Sequence, residues 1–276
     1  RLVSLYNETR KSCLLIYACP TDKPIPQASV IREDYYVIQD FLANTKGDKL
    51  DVYLETPGGR GDVTEDIVKC FRSRFKNVSF IIAGEAKSAG TIMALSGDEI
   101  YMTETGSLGP IDAQTRIGRS TVSTSDYIEW IEQKREDAVK NGRLNPLDAM
   151  IVAQISPGEL NGVLHQNKFA QDRVIEWLPK YKFKNWKVTK ERGLLVTDEM
   201  KKRRAEEIAG QLAANSQRWR IHGKSIKIED LKDLLLIHRV EDNAVFKDIV
   251  YRIHAVCRFL FDMHGTFKIF ATSNDM

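Results

Sequence analysis

The chain has 276 residues, of which 42% are apolar and 29% are charged. This balance allows one substantial buried core and argues against a disordered chain. The formal net charge is +3, from 41 basic and 38 acidic residues, so charge gives no reason to expect a nucleic-acid partner.

The first part of the chain alternates strand and helix patterns. Apolar residues at helical spacing separate short apolar runs, and this order predicts βαβ units in a largely parallel sheet. The fold class is therefore expected to be α/β. The predicted strands are residues 13–18, 50–55, 78–83 and 99–102, and the predicted helices are residues 31–43, 63–75 and 88–96.

From residue 125 the pattern is mainly helical. No internal repeat, low-complexity tract or linker marks a domain boundary. We expect a single domain over residues 1–276, with an α/β core at 1–120 and a mainly helical extension at 121–276. The predicted helices of the extension are residues 127–140, 147–155, 157–178, 198–214 and 243–261.

Two loops follow predicted buried strands, and in open α/β sheets ligands bind at that edge. The first loop reads TPGGRG at residues 56–61, and its adjacent glycines allow backbone N–H groups to point at one oxygen. The second reads GEAKSAG at residues 84–90. It puts Ser88 at a strand-to-helix turn with its hydroxyl exposed, and the N–H of Ala89 can act as an oxyanion donor. Taken alone, each loop also fits an ordinary turn or helix cap.

With a third segment, GSLGPID at residues 106–112, these loops form an ordered set. Residues 54–114 resemble the superfamily of Clp proteases and signal peptide peptidases, which is related to the crotonases. They are most similar to the serine dehydrogenase proteinases, which share the PGG, KSAGT and GSLGPID motifs and a W-x-x-H-G element like residues 219–223. The resemblance implies a Clp/crotonase-like repeated ββα core and a serine peptidase.

The resemblance also implies the site residues. Ser88 is the expected nucleophile, and Gly58, Gly59 and Ala89 match the oxyanion positions. The serine would attack the peptide carbonyl and form an acyl-enzyme, which water then hydrolyses.

The catalytic base is identified less directly than the nucleophile. Clp proteases carry their histidine at the position where this chain has Asp112, and His222 precedes an element similar to the one that follows their aspartate. We therefore expect the chain order Ser88, Asp112, His222, with His222 as the base and Asp112 orienting its ring. Signal peptide peptidases use a Ser–Lys dyad instead, so Lys168 is a competing base. The remaining histidines have no motif around them, and we expect surface or core roles for them.

Two other functions stay open. A crotonase-like acyl-CoA enzyme would use similar glycine-rich loops, although that superfamily usually has glycines where this chain has Ser88-Ala89-Gly90. A catalytically silent assembly or scaffold protein would keep the fold and use the helical half to hold partners.

The expected partners are a protein or peptide substrate and further copies of the chain, because the superfamily works as trimer-based rings or stacked rings. The four cysteines lack the spacing of a zinc site, so we expect neither a metal nor a cofactor. No stretch is apolar enough for a membrane span, and no signal-peptide layout opens the chain. We expect a cytoplasmic protein, with membrane attachment only through a segment outside this chain, since the chain starts at Arg1 rather than Met.

Overall fold

The computed structural model describes residues 1–117, 120–189, 193–213, 219 and 223–273. The α-helices in these ranges are α1 (Leu2–Arg10), α2 (Arg32–Leu42), α3 (Gly61–Arg74), α4 (Ala89–Leu95), α5 (Thr124–Asn141), α6 (Pro146–Val152), α7 (Pro157–Trp177), α8 (Asp198–Ala213), α9 (Ile228–Leu231) and α10 (Ala244–Met263). The strands are β1 (Cys13–Ala18), β2 (Lys49–Glu55), β3 (Asn77–Ile82), β4 (Glu85–Ala86), β5 (Glu99–Met102), β6 (Ser107–Leu108), β7 (Gln114–Ile117), β8 (Ser120–Ser123), β9 (His238–Arg239) and β10 (Ile269–Ala271). Short 3-10 turns lie at Pro26–Ala28 and Val240–Asp242, and a π-helical turn at Leu178–Lys182 continues α7.

Six strands form one sheet in the order β10-β1-β2-β3-β5-β9. Neighbouring strands are parallel from β1 to β9, and only β10 at the edge runs antiparallel to its neighbour β1. The sheet is therefore largely parallel, as the sequence predicts. Two small pairs lie outside it, β4 with β6 and β7 with β8.

Both faces of the sheet are covered, which is why the central strands are apolar at successive positions rather than alternately. Along β1, for example, Leu14 and Ile16 belong to one apolar cluster, and Leu15 and Tyr17 to the other. Helices α1 and α10 supply the first cluster, and α2, α3, α4, α7 and α8 supply the second. The helical extension thus packs into the same core as the α/β part.

The repeated ββα core implied by the resemblance is not confirmed. In the main sheet a helix separates β1 from β2 and β2 from β3, and the short strand β4 pairs with β6 outside that sheet. No helix in the described ranges is both long enough and apolar enough to cross a membrane.

Candidate functional site

Ser88 lies at the turn between β4 and α4 with a left-handed backbone, φ 48° and ψ −114°. A positive φ is costly for a residue with a Cβ and persists only where the surroundings impose it. Here the turn is fixed on both sides, because the N–H of Gly90 donates to the carbonyl of Lys87 at 2.8 Å and the hydroxyl of Thr91 donates to the carbonyl of Ala86 at 2.8 Å. A strained strand-to-helix turn is the geometry that presents a nucleophilic serine.

The TPGG loop is held directly against this turn. The N–H of Thr56 donates to the carbonyl of Glu85 at 2.8 Å, and the N–H of Lys87 donates back to the carbonyl of Thr56 at 3.0 Å. A Cβ on Gly58 would lie 2.9 Å from the Cβ of Ser88. The two loops therefore meet at Ser88, and the contact is close enough to require glycine at position 58.

Val30 holds the other side of the TPGG loop. Its N–H donates to the carbonyl of Gly58 at 2.7 Å, and its carbonyl accepts from the N–H of Arg60 at 3.0 Å. The N–H of Gly58 donates within the loop to the hydroxyl of Thr56 at 3.2 Å. By contrast, no hydrogen bond to a described residue is recorded for the N–H of Gly59.

The N–H of Ala89 is the second free donor. Ala89 is the first residue of α4, and the N–H groups of a first helical turn have no partner within the helix. The N–H of Ala89 also makes no hydrogen bond to a described residue outside the helix. Two N–H groups beside Ser88, at Gly59 and Ala89, are thus available to an oxygen of a ligand.

A cavity of about 740 Å³ opens at these groups. We call it the Ser88 cavity. Its volume is in the range of ligand pockets. Its lining includes both loops, the segment around Ile111 and one face of α7, and the α7 residues are His165, Gln166, Phe169 and Ala170.

The predicted site residues have different outcomes. Gly58, Gly59, Ser88 and Ala89 all line the Ser88 cavity. Asp112 is completely buried behind its wall, and its carboxylate accepts a hydrogen bond from the side chain of Gln114 at 3.3 Å.

The two candidate bases differ. Lys168 is exposed on α7 and is not among the residues that line the Ser88 cavity. His222 lies outside the described residues.

His165, for which a surface or core role was expected, is exposed and lines the Ser88 cavity. Phe169 follows His165 by one helical turn on the same face of α7, and both residues line the Ser88 cavity. The sequence spacing of His165 and Phe169 predicts that they share one face of a helix. It does not predict that this face packs against the Ser88 turn.

Lys87 connects the Ser88 turn to the segment that follows His222. Its ammonium donates to the hydroxyl of Ser225 at 2.9 Å and to the carbonyl of Lys224 at 3.2 Å, and lies 3.2 Å from the carboxylate of Glu85. Burial lowers the pKa of Lys87, although the charge of Glu85 opposes this. Burial also acts on Glu85, but the charge of Lys87 and the hydroxyl of Ser225 outweigh it and lower the pKa of that carboxyl.

None of the four cysteines lines the Ser88 cavity. All four cysteines are buried and unpaired, and burial raises the pKa of Cys257 to about 12. A thiol that stays protonated is a poor nucleophile. No cluster of His, Cys, Asp and Glu among the described residues could hold a metal ion.

The segment that carries these loops is similar to a known domain. Residues 41–168 match the NfeD1b N-terminal domain. The match includes the TPGG loop, Ser88, Asp112 and His165, and it ends before His222.

Two uncharacterized proteins of Methanocaldococcus jannaschii are also similar. One is 25% identical over 159 residues, which are 55% of this chain and 52% of that protein. The other is 28% identical over 91 residues, which are 33% of this chain and 31% of that protein. The chain thus spans about half the length of the first relative and about a third of the second.

A solved membrane-bound stomatin-specific protease superposes with a TM-score of 0.42 at 13% identity, over 76% of this chain and 74% of that protein. A likeness at this level does not establish a shared activity. The matching family model is that of the NfeD1b N-terminal domain, and the assignment to the serine dehydrogenase proteinases or to the crotonases is not confirmed.

Proposed function

We propose that this chain is a serine peptidase in which Ser88 is the nucleophile. The observation that carries the proposal is the backbone of Ser88, held at φ 48° at a strand-to-helix turn that faces a cavity. Strained backbone of this kind clusters at active sites and ligand sites, where a side chain must be presented.

The oxyanion donors are proposed to be the N–H groups of Gly59 and Ala89. Neither group has a hydrogen-bond acceptor among the described residues, and both residues line the Ser88 cavity. Gly58, a third candidate, donates its N–H to Thr56. Its role in the proposal is to let the loop approach Ser88 without a Cβ.

The base is proposed to be His222, oriented by Asp112. Two observations support this choice. Asp112 is a fully buried carboxylate next to two residues of the cavity wall, Ile111 and Ala113. Ser225, three residues after His222, is hydrogen-bonded to Lys87, the neighbour of Ser88, and three residues span at most about 11 Å.

The reaction then proceeds in two steps. His222 takes the hydroxyl proton of Ser88 while Oγ forms a bond to the substrate carbonyl carbon, and the carbonyl oxygen becomes an oxyanion beside Gly59 and Ala89. The C–N bond breaks as the amine receives the proton from His222, which leaves an acyl-enzyme. Water, deprotonated by the same base, releases the acid and restores Ser88.

A covalent fluorophosphonate probe tests this proposal. The parent protein should be labelled once, as measured by intact mass, and Ser88→Ala should abolish the label. Ser73→Ala, at an exposed position on α3, is the matched control and should label like the parent. A folded parent that never labels, or a Ser88→Ala variant that still does, would contradict the proposal.

Three further variants identify the base. His222→Ala should abolish labelling if the chain order Ser88, Asp112, His222 of the serine dehydrogenase proteinases applies. Loss in Lys168→Ala with retention in His222→Ala would favour a dyad. Loss in His165→Ala alone would move the base to α7, from which His165 lines the cavity.

A role in assembly is a second proposal, supported by helix α6. No residue of α6 is buried, and Leu147 and Met150 are each 67% exposed. Residues three positions apart lie on one face of a helix, so Leu147 and Met150 form one exposed apolar patch, and contiguous patches mark contact surfaces. We propose that α6 contacts another copy of the chain, which applies to an active peptidase and to a silent scaffold alike.

A further inference from the structure

A second cavity lies at the opposite edge of the sheet from Ser88. Its volume is about 830 Å³, and Lys49, Asn77 and Glu99, the first residues of β2, β3 and β5, are in its lining. Because these strands are parallel, their first residues share one edge, whereas the loops of the Ser88 site follow the last residues of β2 and β3. The π-helical turn after α7 covers this cavity with Lys182, and we call it the Lys182 cavity.

The carboxylates that line the Lys182 cavity already have protein donors. Asp51 accepts from Arg10 at 3.1 Å and from the hydroxyl of Tyr6 at 2.7 Å. One oxygen of Asp98 accepts from Arg72 at 2.7 Å, and the other has no hydrogen-bond donor among the described residues but forms an ion pair with Lys184. The third carboxylate, Glu99, accepts from the hydroxyl of Tyr101. The acidic groups of this cavity are therefore largely satisfied.

Two donors in the same lining are not satisfied. The hydroxyl of Ser12 is buried, with the residue 2% exposed, and has no hydrogen-bond partner among the described residues. No hydrogen bond or ion pair to a described residue is recorded for the ammonium of Lys182. Burial lowers the pKa of that ammonium to about 8, against the attraction of Glu99 and Asp98. A buried hydroxyl without a partner, such as that of Ser12, is unfavourable, and a ligand group that binds there is one explanation for it.

Aromatic side chains complete the lining. Phe183 and Trp186 pack edge to face with ring centroids 5.6 Å apart, and both line the cavity with Tyr181. Leu236, which is 70% exposed, adds an apolar group. Pockets for small molecules combine apolar and aromatic walls with a few polar groups that fix orientation.

We infer that the Lys182 cavity binds a small organic anion with an aromatic ring, its anionic group at Lys182 and Ser12 and its ring against Trp186 and Phe183. Ser12 and Lys182 can both donate to a ligand acceptor, whereas the free oxygen of Asp98 already has the charge of Lys184 beside it. The ammonium selects a negatively charged acceptor over a neutral one. The site is separate from Ser88 and does not depend on the proposed peptidase activity.

Benzenesulfonate is a suitable probe, because it joins a permanent negative charge to one ring. Its binding to the full chain can be followed by calorimetry. We expect weaker binding of methanesulfonate, which has no ring, and of benzyl alcohol, which has no charge. Equal binding of benzyl alcohol, or no binding of benzenesulfonate at millimolar concentrations, would overturn the inference.

Variants locate the site. Lys182→Gln should weaken benzenesulfonate binding about tenfold or more, the factor expected from one lost charged contact. Lys180→Gln is the matched control, since Lys180 is exposed two residues away and does not line the cavity. Equal affinities of the two variants would contradict the assignment.

Ser12→Ala separates binding from folding. Removal of an unsatisfied buried hydroxyl should leave the unliganded protein as stable as the parent or more stable. The same change should weaken benzenesulfonate binding. A variant that binds like the parent would exclude Ser12 from the site, and Ser88→Ala should bind benzenesulfonate unchanged.

Discussion

At the residue scale, Gly59 is the position of the candidate site that leaves least room for change. Its φ is 149°, and a Cβ there would lie 2.4 Å from the nitrogen and 2.6 Å from the oxygen of Val30. Both are backbone atoms of a residue whose hydrogen bonds hold Gly58 and Arg60. Val30 therefore cannot move aside without moving the TPGG loop.

Gly59→Ala is expected to reduce fluorophosphonate labelling of Ser88 at least tenfold and to destabilise the protein by about 1–3 kcal/mol, the usual cost of a strained backbone. Labelling rates and urea unfolding measure the two effects. Gly158→Ala is the control, because a Cβ at that position meets nothing within 4 Å. A Gly59→Ala variant that labels at the parental rate would remove Gly59 from the proposed oxyanion site.

Lys182 gives a prediction about pH. Burial lowers its pKa from 10.5 to about 8, so between these values the unfolded chain binds more protons than the folded one, and this residue makes stability rise with pH. Lys182→Met removes the buried charge. The variant should be more stable than the parent at pH 7, and its advantage should shrink as pH rises from 8 towards 10.5. Unfolding in urea at several pH values measures this, and a constant difference would contradict the prediction.

At the element scale, the sequence predicts the strongly patterned elements well. The strand expected at 13–18 is β1, and the helix expected at 198–214 corresponds to α8, with residue 214 outside the described ranges. The short edge strands β9 and β10 were not predicted, because two or three residues of intermediate burial carry no clear period. Their pairing depends on distant neighbours, which a local pattern does not contain.

In the candidate site, too, features with a local sequence pattern could be predicted, and features that depend on distant neighbours could not. The loops with Gly59 and Ser88 could be found because glycines and a serine at strand ends form a recognisable local pattern. Two features of the site could not be predicted from the sequence, because they depend on the three-dimensional packing. They are the hydrogen bond from the N–H of Gly58 to Thr56 and the position of His165 in the cavity. Lys168 lies on the same helix, α7, as His165, but it does not line the cavity.

Helix α6 carries the element-scale prediction. If it contacts another copy of the chain, Met150→Glu should lower the mass measured by light scattering after size exclusion, because a charge in an apolar contact is unfavourable. The circular dichroism spectrum should not change, since no residue of α6 is buried. Met263→Glu, at a residue 70% exposed at the end of α10, is the control. An unchanged mass for Met150→Glu would exclude α6 from the contact.

At the scale of the whole molecule, a C-terminal lysine supports the candidate site. The ammonium of Lys268 donates to both carboxylate oxygens of Asp34, at 2.7 and 2.8 Å, and to the carbonyl of Ser29 at 2.8 Å. The two paired side chains are 8% and 3% exposed. Ser29 precedes Val30, the residue that holds the TPGG loop.

Lys268→Met should destabilise the protein by about 3–5 kcal/mol, because it leaves the carboxylate of Asp34 buried without a counter-charge. Labelling of Ser88 should slow as well, since the segment at Val30 loses its support. Urea unfolding and the fluorophosphonate assay measure these effects. Lys46→Met, at an exposed lysine, should change neither, and a Lys268→Met variant as stable as the parent would refute the expected role.

The position of β10 also has a consequence during synthesis. Ile16 of β1 pairs with Ala271 of β10, and a ribosome that adds about 5–20 residues per second makes the second residue roughly 10 to 50 s after the first. Until then the free edge of β1, a strand of six residues that all end up buried, is open to pairing with other nascent chains. We expect chaperone binding to the growing chain to concentrate on β1 and to end only when β10 emerges.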